Sequence, residues 1–321
     1  MRRIAITCVL PKDITEEFSR EFDLLFLLRK LLTSPGEMKS FVKELAGCEA
    51  LVVAPPFAVD RSLIDQLPSS LKVLATYSVG YDHLDVVAAR VKGLSVLHTP
   101  DVLTDAVAEV ALLLALGAAR RVTESEQLLR SRHWPGWTPT QLIGQSLTDK
   151  VMGIFGYGRI GKAIAIRARS FGARICFHDS RPKAVTDGEL ATLVSDEQEF
   201  LGSCDVLVLA APLNQQTKYF LDRRRLELMK SSAIVVNIGR GDLVRDDDLI
   251  RALRDGQIFA AGLDVFSNEP GIDDRYFDLP NVFMLPHIGS STMEARVMMG
   301  RKLIAGITEL FSGRVPTNSL T

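Results

Sequence analysis

Cysteine is scarce, with four in 321 residues. Cys8, Cys48, Cys176 and Cys204 form no CxxC pair and no zinc-ligand spacing, so neither a disulfide framework nor a metal site is expected. Cys8, Cys176 and Cys204 lie in or beside apolar runs ("IAITCVL", "RICFHD", "SCDVLVL") and read as buried free thiols of a reducing, cytoplasmic compartment. No apolar run reaches the roughly 20 residues a membrane span requires. The start, "MRRIAITCVLPKD", carries a short apolar run that stops at Pro11-Lys12-Asp13 with no clear cleavage site, and reads as a first strand rather than a secretory signal. Neither sign of charge dominates, since Lys plus Arg number 38 and Asp plus Glu 39. That balance, without a basic block, argues against nucleic acid and anionic membrane as main partners. The cluster Arg223–Arg225 reads as a solvated helix face. Internal repeats and low-complexity segments are absent.

What is present is ordinary globular material, 47% hydrophobic and 24% charged, on a chain long enough to favour two domains. The first hundred residues alternate short apolar runs ("RIAITCVL", "DLLFLL", "EALVVA", "LKVLATYSVG", "LSVLHT") with polar, helix-period stretches such as 37–46 and 83–91. This is the βαβ signature of a parallel sheet. A long helix is expected over 104–132, free of proline, with Thr104 or Asp105 as its cap. "HWPGWTP" then breaks the chain. From 150 the alternation restarts, with strands expected at "KVMGIF", "ARICFHD", "DVLVLAAP", "AIVVNIG", "FAAGLDVF" and "NVFMLP". A last helix opens on the capping-box pattern Ser291-Thr292-Met293-Glu294, runs to about Phe311, and is expected to pack on the first domain. The fold class is therefore α/β, with two doubly wound parallel-sheet domains. One is built from 1–99 plus 286–321, and a nucleotide-type domain spans 100–285.

"KVMGIFGYGRIGKAI" is the most informative stretch. An apolar strand runs into Gly156-Tyr157-Gly158-Arg159-Ile160-Gly161, and a helix follows. Gly156 permits the tight turn, Gly158 lets a pyrophosphate approach the backbone, and Gly161 lets helix pack on strand. The helix N-terminus offers N–H groups and a positive dipole end to phosphates. A lone GxGxxG is a weak signal, but here strand and helix flank it correctly. The next strand ends in Asp179, near the roughly 20-residue spacing at which a carboxylate meets the ribose hydroxyls of NAD. Asp179 would repel a 2′-phosphate and favours NAD; Arg181 and Lys183 can attract one, so NADP stays open.

Three polar residues stand just past expected strands, where open α/β sheets bind ligands. These are Arg240 after "AIVVNIG", Glu269 after "LDVFSN", and His287 in the turn "LPHIGSST". Each alone reads as a loop charge, but together they suit a keto acid. Arg can hold a carboxylate and a carbonyl through charge-assisted hydrogen bonds. A protonated His can supply a proton to a carbonyl oxygen as its negative charge grows. A neighbouring carboxylate orients that ring and favours its charged form.

At this point the chain resembles the D-isomer-specific 2-hydroxyacid dehydrogenases over essentially its full length. The resemblance rests on "TYSVGYDHLD" (76–85), "VLTDAVAE" (102–109), "GYGRIG", "VVNIGRGDLV" (235–244), "AAGLDVFSNEP" (260–270) and "LPHIGSST". "TYSVGYDHLD" is most similar to the glyoxylate/hydroxypyruvate reductase branch. The resemblance implies a flavodoxin-like substrate domain hinged to a Rossmann cofactor domain, with reduction of a small 2-keto acid by NAD or NADP. It implies that Arg240 binds substrate and polarises its carbonyl, that Glu269 pairs with the histidine, and that His287 is the acid/base and touches substrate. Val79 and Gly80 match the loop whose N–H groups hold the substrate carboxylate. Thr104, Arg159, Ile160, Ala211, Pro212, Ile238, Asp264, Gly289 and Ser290 match cofactor contacts. A homodimer through the long helix and its neighbouring loop is implied; Trp134 and Trp137 fit either that interface or packing on their own domain. Pocket width would depend on Val53, Pro55, Phe57 and Tyr77.

Other readings within the fold are a formate dehydrogenase, a phosphoglycerate or other D-2-hydroxyacid dehydrogenase, and a dinucleotide-sensing corepressor-like scaffold. Formate dehydrogenases pair their histidine with glutamine, so Glu269 argues against the first. The scaffold can retain the same Arg, Glu and His, and only turnover distinguishes it.

Overall fold

The computed structural model describes residues 1–29, 31–179 and 190–321. Arg181 and Lys183 lie outside the described residues. Two compact units emerge, Met1–Leu103 with Ser291–Thr321, and Thr104–Ser290. These bounds differ by a few residues from those expected, and the shift places His287, Gly289 and Ser290 in the second unit.

In the first unit, β1 (Arg2–Ile6), α1 (Lys12–Glu21), β2 (Phe22–Phe26), α2 (Pro35–Glu44), β3 (Ala50–Val53), α3 (Arg61–Gln66), β4 (Val73–Thr76), α4 (Val86–Val91) and β5 (Ser95–Leu97) alternate along the chain. The strands form a wholly parallel sheet in the order β2-β1-β3-β4-β5, the flavodoxin order. Central strands β3 and β4 are buried along their whole length. A strand covered on both faces by helices should read as an unbroken apolar run, as "ALVV" does. Short acceptor side chains start the helices: Ser34, Asp60 and Asp85 accept from the N–H groups of Glu37, Leu63 and Ala88, each cap contributing about 1 kcal/mol.

The second unit opens with α5 (Thr104–Ala119) and α6 (Val122–Arg130). The single helix expected over 104–132 is broken, because Arg121 takes a left-handed φ of 54°. Its guanidinium makes two bonds to Glu124, at 2.8 and 2.7 Å, which fix the new start. The two helices also differ in character. Ten residues of α5 are buried and none of α6.

The Rossmann part follows as β6 (Val151–Phe155), α7 (Arg159–Ser170), β7 (Arg174–His178), β8 (Thr192–Leu193), α8 (Glu197–Ser203), β9 (Val206–Leu209), α9 (Arg223–Leu226), β10 (Ile234–Asn237), α10 (Asp246–Arg254), β11 (Ala260–Leu263) and β12 (Val282–Met284). The sheet order is β12-β11-β10-β9-β6-β7-β8, all parallel. Two-residue β8 was not anticipated from sequence; it lies exposed at the sheet edge, within the short run "LATLV" (190–194). Helix α11 (Met293–Phe311) returns to the first unit. Its cap is Thr292, which accepts from Ala295 N–H at 3.1 Å. The helix packs so closely on α1 that a Cβ at Gly300 would meet Ile14 at 2.4 Å.

Candidate active site

The order of the seven strands reverses at β6, between β9 and β7. Such a switch point opens a crevice at the carboxyl ends of the strands. The Gly156–Gly161 turn leaves β6 there. Gly156 has φ of 96°, and a Cβ on it would meet the backbone N of Ala211 at 2.6 Å. No other residue fits that close approach between the ends of β6 and β9. A Cβ at Gly158 would meet nothing within 4 Å, so the turn leaves open space where a group can approach the backbone. Gly158 caps α7 without a side-chain bond, and the first turn of α7 carries no acid. That combination suits an anion. Tyr157 N–H donates to Asp179 Oδ2 at 2.9 Å, which fastens the acid at the end of β7 to the glycine turn. Ala211 and Ile238 are buried beyond β9 and β10, and Pro212 is exposed. Thr104 begins α5 and is half-buried. The residues present thus fit a dinucleotide.

Arg240, Glu269 and His287 follow β10, β11 and β12. Their loops are braced from within. Asn237, 1% exposed, ends β10; its Nδ2 donates to Arg240 O at 2.8 Å and its Oδ1 accepts from Gly239 N–H at 3.1 Å. Arg240 Nη1 also donates to Gly239 O at 2.8 Å. A Cβ at Gly241 would lie 1.9 Å from Phe266 C and 2.1 Å from Ser267 N. The loop of Arg240 therefore rests against the backbone that leads to Glu269. Sequence reading missed both Asn237 and Gly241. The signal was a polar residue closing an apolar strand in "VVNIGRG".

Glu269 Oε1 accepts from Phe266 N–H at 2.8 Å, and Oε2 meets His287 Nδ1 at 2.6 Å. Burial would push the Glu269 carboxyl up, but the His287 bond and charge, the Phe266 N–H and the Arg240 charge hold it below the usual carboxylate range. A carboxylate can only accept, so His287 Nδ1 carries the hydrogen and Nε2 is directed away from Glu269. His287 itself takes a φ of 54°, a costly conformation for a side chain with a Cβ. Asp264 holds it there. Its Oδ1 and Oδ2 accept from Ile288 and Gly289 N–H at 2.7 and 2.8 Å. The Asp264 carboxyl, 1% exposed, is pushed up by burial, which outweighs these two bonds. The role suggested for Asp264 by resemblance was cofactor contact; its two oxygens here fix the turn of His287. Gly289 is buried and Ser290 half-buried.

Comparison with known proteins decides the family. Residues 112–289 match the model of the D-isomer specific 2-hydroxyacid dehydrogenase NAD-binding domain. The chain belongs to the D-isomer specific 2-hydroxyacid dehydrogenase family. It is 36% identical to glycerate dehydrogenase of Hyphomicrobium methylovorum, over 97% of each chain. It is 40% identical to glyoxylate reductase of Thermococcus kodakarensis, over 98% of this chain and 94% of that one. Among solved structures, the NADPH-dependent glyoxylate/hydroxypyruvate reductase of Sinorhizobium meliloti, in complex with NADP and malonate, superposes with a TM-score of 0.89 at 29% identity, covering 100% and 97%. As a member, the chain is an NAD(P)-dependent oxidoreductase of small 2-keto and 2-hydroxy acids.

Val79 and Gly80 belong to the first unit, in the loop after β4. Of the pocket-width candidates, Val53 and Phe57 are core residues; Phe57 packs on Phe41 with ring centres 5.3 Å apart. Neither is available to line a pocket. Tyr77 is also buried, and its hydroxyl donates to Arg296 O. Pro55 is exposed. No group of acids, histidines and cysteines suited to a metal ion occurs among the described residues. No helix among them is long and apolar enough to cross a membrane.

Proposed function

We propose that the protein reduces glyoxylate and hydroxypyruvate to the corresponding 2-hydroxy acids, with His287 as proton donor. The observation that carries this reading is the 2.6 Å bond between His287 Nδ1 and Glu269 Oε2. It orients the ring and leaves Nε2 for a substrate oxygen. In this reading the dinucleotide lies against Gly156, Gly158, Arg159, Ile160 and Gly161, with Asp179 at its ribose. Thr104, Ala211, Pro212, Ile238, Asp264, Gly289 and Ser290 complete its surroundings. Bound reduced nicotinamide supplies a hydride to the carbonyl carbon. The chain's own residues do the rest. Arg240 holds the keto acid and draws charge toward the carbonyl oxygen. His287 gives its Nε2 proton to that oxygen, and Glu269, kept ionised, steadies the cation before transfer. Val79 and Gly80 hold the substrate carboxylate through backbone N–H groups. Asp179 supports NAD as the preferred dinucleotide.

The proposal extends to a cytoplasmic homodimer. Four free thiols, three of them buried, fit a reducing compartment. Leu129, Trp134, Trp137 and Ile143 are exposed around a groove of about 700 Å³ beside α6. Trp137 is 80% exposed, which weighs against packing on its own unit, and a second copy is the natural cover for such apolar surface.

His287→Ala tests the central role. It should lower kcat by two to four orders of magnitude (~10²–10⁴), the usual reach of acid–base catalysis, with dinucleotide binding retained. Near-normal turnover would remove His287 from the chemistry. Arg240→Ala should raise KM for the keto acid and also depress kcat, because the charge it meets grows in the transition state; a change in KM alone would make it an anchor only.

A further inference from the structure

We infer that His98 is a positioning residue for substrate binding: its ring holds the Val79 carbonyl and so aims the Val79–Gly80 peptide. The inference rests on the proposed role of that loop as the carboxylate grip. Every contact involved lies within the first unit.

The three carbonyls of residues 78–80 are each tied down. Ser78 O accepts from Thr99 N–H at 3.0 Å. Val79 O lies 3.0 Å from His98 Nδ1. A carbonyl can only accept, so Nδ1 carries the hydrogen. Gly80 O accepts from the Ser78 hydroxyl at 2.6 Å, and that hydroxyl also meets Thr76 Oγ1 at 2.7 Å. Across a trans peptide the N–H points opposite to the C=O of the preceding residue. Fixing Ser78 O and Val79 O toward residues 98 and 99 therefore turns the N–H groups of Val79 and Gly80 away from them. Neither N–H donates to another group among the described residues. Two successive N–H groups turned outward make a concavity for an anion.

His98 is suited to this because its own backbone is pinned elsewhere. Its N–H donates to Asn318 O at 3.2 Å, and its carbonyl accepts from Asn318 Nδ2 at 2.9 Å. Asn318 is 2% exposed. Residue 98 thus stays in place whatever side chain it bears, and the ring alone reports on the loop. Nothing in the Val79–Gly80 segment itself fixes the direction of its central peptide.

The experiment compares the parent chain with His98→Leu, which removes the donor, and His98→Asn, whose amide nitrogen stands where Nδ1 stood. His98→Leu should raise KM for glyoxylate about tenfold, the effect of losing one hydrogen bond, and leave KM for NADH unchanged. His98→Asn should recover most of that loss. An unchanged KM in His98→Leu overturns the inference and leaves the proposed function standing. Equal defects in the two variants also overturn it, since ring packing would then be the cause. If the parent reduces no 2-keto acid, the proposed function fails. The inference is then decided by the ¹⁵N–¹H signals of Val79 and Gly80 on titration with glyoxylate. Shifts in the parent that vanish in His98→Leu support it, and no shift in the parent overturns it.

Discussion

Gly241→Ala would separate the two loops that present Arg240 and Glu269. The added Cβ would stand 1.9 Å from Phe266 C, 2.1 Å from Ser267 N and 2.3 Å from Phe266 O. All three are backbone atoms, so no rotamer change can relieve the overlap. Ordinary contact begins near 3.4 Å, and the loops must part by about 1.5 Å. Phe266 is also the residue whose N–H holds Glu269, so the shift passes directly to the His287 partner. Misplacement of about 1 Å in a reacting constellation costs on the order of 100-fold. We expect kcat/KM for glyoxylate to fall about 100-fold, equivalent to about 2.7 kcal/mol. Overpacking should also cost about 1–3 kcal/mol of stability, lowering Tm by several degrees. The assay is loss of reduced-nicotinamide absorbance in steady state, beside thermal unfolding. Gly202→Ala is the control of opposite sign. That glycine lies in α8 with its nearest neighbour atom, Leu228 O, 3.7 Å from the added Cβ, and alanine there should add about 0.5–1 kcal/mol. A Gly241→Ala enzyme with near-parental kcat/KM and Tm would refute the coupling of the two loops.

Three further outcomes follow from the same geometry. Glu269→Gln should cost about 1–2 kcal/mol of stability at neutral pH. Because the folded state holds the Glu269 carboxyl below its ordinary value, its contribution is complete above the unfolded glutamate pKa, about 4.3, and is lost as pH falls through the lower folded value. Denaturant unfolding of parent and variant from pH 3 to 7 (roughly the span of these values) checks this; a gap that instead closes above pH 5 (about one unit over the ordinary value) contradicts it. Asp179→Ala should raise the kcat/KM ratio of NADPH to NADH about tenfold or more by removing the charge opposed to a 2′-phosphate; an unchanged ratio sinks that assignment. Trp137→Asp should shift the protein from dimer to monomer in sedimentation velocity, and a variant that sediments as the parent does would place the interface elsewhere.

Much of this was legible in the residues because buried parallel strands and glycine turns leave direct traces. Short β-branched runs such as "VLVL" and "IVVN" read as strands covered on both faces, and Gly156 is dictated by a backbone approach that the sequence context already implied. The rest depended on forces between distant segments. The helix break at Arg121, where φ is 54°, leaves no mark in a helical pattern that runs on without proline. Phe57 looks like pocket material beside two prolines, yet it is claimed by the core through Phe41. Asp264 was readable as a site residue, but its bonds to the turn of His287 link residues far apart in sequence. His98 was one histidine among five, and only the folded loop shows what its ring holds. Arg240, Glu269 and His287 could be named from their positions past three strands, while the bracing by Asn237 and Gly241 needed the packed loops.

The reductase activity is tested by initial rates with purified protein, using glyoxylate, hydroxypyruvate and pyruvate, each with NADH and with NADPH. Rapid oxidation of NADH with the first two acids, and slower use of NADPH, is the expected result. No turnover of any of the three, with the dinucleotide still bound, would contradict it.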